Sequence, residues 1–138
     1  MADSPEHMQI EYGVYVPSDA EAMVRLLGEV FSRYDPPAVA AGLTSAEFEA
    51  FVRLLCPRAA AEGLAIVARL AGTGEMVGAL LTEDSASALP DGIDRLSAKF
   101  DSIFDILGQS DAEYRLARWT ARALLRVWGW GECLRNTL

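Results

Sequence analysis

The chain is predicted to be an α+β protein of mixed helix and sheet layers, and three features of its sequence carry that prediction. An alternating segment near the start is followed by two amphipathic helical stripes. Two short apolar runs then flank a turn containing two glycines, and a further helical stripe follows. No internal repeat interrupts this order, so a single domain over residues 1–138 is expected, within the size range that buries about two-thirds of its unfolded surface.

Residues 10–16 alternate around Tyr12, Val14 and Val16, the period of a strand, and Pro17 ends the run. Ser18 and Glu21 form a capping-box pattern, in which each side chain satisfies a backbone N–H near the other, so a helix should begin there. Met23, Leu26, Leu27, Val30 and Phe31 recur at helical spacing and form one stripe that must be packed. The break is expected at residues 34–37, where Pro36 and Pro37 remove donors and stop the helix.

Thr44 and Glu47 give a second capping box, ahead of a stripe of Phe48, Phe51, Val52 and Leu55. Pro57 is expected to kink that helix and Gly63 to end it. Residues 64–70 and 76–82 read as a β-hairpin, because Gly72 and Gly74 between them suit positive φ. After a loop over residues 83–92, Leu96, Phe100, Ile103, Phe104 and Leu107 return to helical spacing, and Gly108 is expected to end the run.

The composition excludes several classes of function. With 51% apolar and 23% charged residues the chain is that of an ordinary folded protein. Residues 1–9 are polar, with no hydrophobic signal region, and no apolar stretch approaches the roughly 20 residues of a membrane span, so a cytoplasmic protein without membrane attachment is expected. Cys56 and Cys133 stand alone, without metal-ligand spacing, and read as buried packing residues. His7 is the single histidine, which disfavours triads and multi-histidine metal centres; no metal is expected. A net charge of −8 repels phosphate backbones, so nucleic acid is not an expected partner, whereas a small cationic amine suits the field.

The character changes after residue 113. That part holds all three tryptophans and five of the eleven arginines, with no acidic residue between Glu113 and Glu132. Ala117, Ala121, Leu124, Leu125 and Trp128 form a helical stripe by period. Next stands Arg126-Val127-Trp128-Gly129-Trp130-Gly131. Glycines at alternate positions before a helix let main-chain amides approach a pyrophosphate, while the helix start adds partial positive charge.

Arg126, Gly129 and Gly131 match the fixed positions of the Q/R-x-x-G-x-G/A signature, and through them the sequence resembles the Gcn5-related N-acetyltransferases. The order of strand, two helices and hairpin is similar as well. The resemblance implies acetyl-coenzyme A as cosubstrate, bound by residues 126–131, and a small primary amine as acceptor. The run Glu29 to Pro37 is similar to the arylalkylamine and dopamine-type members, which implies Asp35, the acidic residue before proline, as general base; Asp84 acting through water is the other candidate.

Measured against that family, the chain stops early: the rest of the central helix and the last strands would be absent, and residues 116–125 read helical where the family carries a strand. Two other readings therefore stand beside the enzyme. One is a catalytically incomplete module that binds a partner chain or forms a homodimer through its open sheet edge. The other is that the tail after about residue 113 is not the native continuation of the family's fold. Asp35 also has a plain structural reading, as a turn former before proline.

Overall fold

A computed structural model describes residues 9–84 and 87–110. Three strands, β1 (Ile10–Val14), β2 (Ile66–Leu70) and β3 (Met76–Leu80), form an antiparallel sheet in the order β1-β2-β3. Between β1 and β2 lie the helices α1 (Ala20–Tyr34), α2 (Pro36–Ala40) and α3 (Ser45–Glu62). Residues 101–110 are helical, and Gly108 does not end that run as the sequence predicted, because the helix continues through it. The chain divides into two compact units, the first reaching Phe100 and the second beginning at Asp101. Mixed α+β architecture is thus what the sequence encodes.

The entry to α1 differs from the expected cap. A 3-10 turn over Pro17–Asp19 precedes the helix, and Asp19, not Ser18, caps the turn: its Oδ2 accepts from the Val16 N–H at 3.1 Å. Asp19 is favoured because it also receives the Arg69 guanidinium from β2, a partner that Ser18 could not hold as an ion pair. At the other end the prolines do break the helix, but they also start a new one. Pro36 and Pro37 occupy the first turn of α2, where a missing N–H costs nothing because no intrahelical acceptor would have taken it.

The second capping box forms as expected. Thr44 Oγ1 accepts from the Glu47 N–H at 3.2 Å, and Glu47 Oε2 accepts from the Thr44 N–H at 2.9 Å. α3 then runs through Pro57 to Gly63, whose φ of 64° is the left-handed conformation that favours glycine. Gly74, at φ 72°, does the same work in the hairpin turn, whereas Gly72, also expected to need that conformation, does not adopt it. Within the hairpin the register skips one residue: Ala68 faces Gly78 but Arg69 faces Met76, leaving Val77 as a bulge.

The core lies between one face of the sheet and the helices. Met23, Val24, Val52, Val67 and Phe100 are fully buried. Each such side chain contributes about 1.5–3 kcal/mol by leaving water. Phe31 stacks on Phe48 with ring centroids 4.8 Å apart, and Phe48, Phe51 and Phe100 continue the cluster at 5.3–5.9 Å. Gly28 lets α1 and α3 approach closely, since a Cβ there would stand 2.5 Å from Glu49 Cγ and 3.1 Å from the Ser45 carbonyl.

The opposite sheet face is bare in the described structure. Ile10, Tyr12 and Val14 of β1, Ile66 of β2 and Leu80 of β3 are all exposed, Tyr12 at 75%. The alternation of the strands explains this, because the odd-numbered residues Tyr15, Ala65 and Val67 point inward.

Candidate functional site

The two carboxylates singled out from the sequence sit at different places in the fold. Asp35 joins α1 to α2. Its N–H donates to the Phe31 carbonyl at 3.1 Å, closing α1, and its Oδ2 accepts from the Ala38 N–H at 3.0 Å, capping α2. One oxygen is committed to that cap, so the other is what the residue has left for proton transfer. The half-buried Asp35 lies beside exposed Tyr34.

Asp84 lies just beyond β3 and is exposed. Its N–H donates to Glu62 Oε2 at 3.0 Å, and Ser87 Oγ donates to the other oxygen of the same carboxylate at 2.8 Å. Arg58 stands 4.0 Å from Glu62 and 3.6 Å from Glu83, which balances part of this acidic group. Asp84 is thereby tied to the last turn of α3.

Asp35 is tied to the other end, since Phe31, one turn before it, stacks on Phe48 in the first turns of α3. Phe48 and Glu62 are fourteen residues apart along one helix, about 21 Å at 1.5 Å per residue. The two candidate bases are anchored to opposite ends of α3, and each would need its own acceptor locus. Arg126, Val127, Trp128, Gly129, Trp130 and Gly131, the residues expected to hold acetyl-coenzyme A, lie outside the described residues.

An open hollow of about 330 Å³ is lined by Ala50, Leu54, Asp91, Gly92, Arg95 and Leu96. Its walls are apolar, with one cation and one anion among them, and neither Asp35 nor Asp84 lines it. Nothing in the sequence pointed to it, because Asp91 to Leu96 fall in what read as a loop and the start of a helix.

Sequence reasoning also missed the ion pair of Asp19 with Arg69. Burial alone would raise the Asp19 carboxyl, but the Arg69 guanidinium and the Val16 N–H outweigh it and hold it below the ordinary value. Glu47 is held down to about 2, first by the Thr44 N–H and then by Lys99, whose Nζ lies 2.9 Å away. The Tyr15 hydroxyl is pushed well up, chiefly by burial and then by its hydrogen bond with Cys56. Cys56 is buried there against Tyr15, the packing role expected of it.

These groups brace the fold, and each is satisfied locally. Among the described residues no cluster of three or more histidine, cysteine or acidic side chains could hold a metal, and no helix is long and apolar enough to cross a membrane. No family model, no curated protein and no solved structure matches the chain.

Proposed function

We propose that the chain is an acetyl-coenzyme-A-dependent N-acetyltransferase acting on a small primary amine. The observation that carries this reading is the order strand, helices, hairpin, drawn into one antiparallel sheet with helices on one face. It is the layout that accompanies the Arg126-x-x-Gly129-x-Gly131 signature in the family the sequence resembles.

The chemistry is direct transfer. A protonated amine has no free lone pair, so a base removes a proton before the nitrogen attacks the thioester carbonyl carbon. The C–N bond forms, the C–S bond breaks, and coenzyme A leaves as a thiolate that takes up a proton. Asp35 is the favoured base, because it is half-buried at a helix junction, whereas Asp84 is exposed. No acyl-enzyme is needed, and the buried setting of Cys56 suits that.

Titration of the purified chain with acetyl-coenzyme A tests the reading. Saturable stabilisation is expected, about 2.7 kcal/mol at a hundred-fold excess over the dissociation constant. Absence of any shift at millimolar cofactor would remove it.

A further inference from the structure

The bare sheet face is an apolar surface of the described fold that the proposed function does not use. Ile10, Tyr12, Val14 and Val16 run along one side, Leu64 and Ile66 along the middle, and Leu80 along the other, and all seven are exposed. Within the strands they share one face by register, since Val14 stands opposite Ile66 and Ile66 opposite Leu80, and the Tyr15 N–H donating to the Ala65 carbonyl carries the same pairing on toward Val16 and Leu64. The charged residues of the three strands, Glu11 and Arg69, are registered against each other on the opposite side. The face is therefore apolar and carries no charge.

We propose that a second copy of this chain docks on it, sheet face against sheet face. Along the strands the patch extends about 23 Å, at about 3.3 Å per residue, and across them about 14 Å, at about 4.8 Å per strand. Within that outline the seven side chains leave 43–75% of their surface exposed, together roughly 600 Å² of accessible surface, at the upper end of what a soluble monomer leaves bare. Two copies bring together roughly 1,200 Å², the lower bound of a specific interface.

The chemistry fits a twin better than a charged partner. An apolar face matches itself under a two-fold axis, and packed sheets seat their inner side chains about 10 Å apart. A basic peptide or helix would find no carboxylate within the patch to pair with. The net charge of −8 makes two copies repel at a distance, but that repulsion is screened by salt while the apolar contact is not. Association should accordingly tighten as salt is added, the reverse of an ion-paired interface.

Sedimentation equilibrium of the full chain over a wide dilution series tests this. The expected result is a monomer–dimer equilibrium that shifts toward dimer with added salt. Tyr12→Arg and Val14→Lys should each weaken it about tenfold or more, an effect of at least about 1.4 kcal/mol. Val39→Arg, at an exposed position on α2, should leave it unchanged. Both strand positions are exposed, and circular dichroism of each variant checks that the fold is kept.

A monomer at every concentration would overturn the proposal. A dimer indifferent to Tyr12→Arg and Val14→Lys would overturn it too, by moving the contact to a strand edge. The inference does not depend on acyl transfer, and cofactor titration of the monomeric Tyr12→Arg variant reports on that reading separately.

Discussion

At the scale of single residues, Asp35 and Asp19 show how a carboxylate can be doing structural work where chemistry is sought. Asp35→Asn keeps a side-chain oxygen for the Ala38 N–H, whereas Asp35→Ala removes it. Thermal unfolding should show a loss of about 1 kcal/mol for the alanine variant and almost none for asparagine. If Asp35 is the base, acetyl transfer by the asparagine variant is abolished all the same, which separates the two roles. For Asp19 the expectation concerns pH. Its folded-state carboxyl lies below the ordinary 3.8, so the stability it adds is present above that value and is lost as the pH falls through the folded value. Arg69→Met should cost about 2 kcal/mol in urea unfolding at neutral pH. The gap from wild type should narrow in acid, once the stranded carboxyl is protonated.

At the scale of elements, α3 concentrates the local signals. The Thr44 N–H and Lys99 hold the Glu47 carboxyl down from its ordinary 4.5 to about 2 in the folded chain. Its contribution is complete above 4.5 and disappears as the pH falls toward 2, so Glu47→Gln and wild type should differ in stability at pH 7 and converge near pH 2. Gly28→Ala tests the contact between α1 and α3. Alanine gains about 1 kcal/mol of helix propensity. Pushing Ser45 and Glu49 aside costs about 1–3 kcal/mol, and a net loss of about 1 kcal/mol is expected in denaturant titration.

Those same elements show which parts of the fold could be read in advance. The Thr44–Glu47 box, the Gly63 stop and the hairpin turn at Gly74 were legible, because their partners lie within a few residues. The start of α1 was misread, because the choice of Asp19 over Ser18 is decided by Arg69, fifty residues away. Pro36 and Pro37 were rightly read as a stop, but the same fixed φ also begins α2, and the pattern alone did not reveal that. Of the candidate site, the cap at Asp35 follows from its Asp-Pro-Pro context. The bare sheet face does not, since alternation reveals two faces without revealing which one the helices cover.

At the scale of the whole molecule, the bulge in the hairpin has a consequence for how the chain behaves in bulk. Among the described residues β1 and β3 are the outer strands of the sheet. They differ in sequence, so stacking one molecule's β1 on the next molecule's β3 would repeat head to tail without closing. The bulge at Val77 interrupts the regular pairing of β3, and a bulged border offers an incoming strand a less even row of amides and carbonyls. Deleting Val77 would straighten the border, and the shortened protein should polymerise into fibrils that bind thioflavin, where the natural chain stays dispersed. On that outcome, one surplus residue in a hairpin is what holds the molecule back from endless growth.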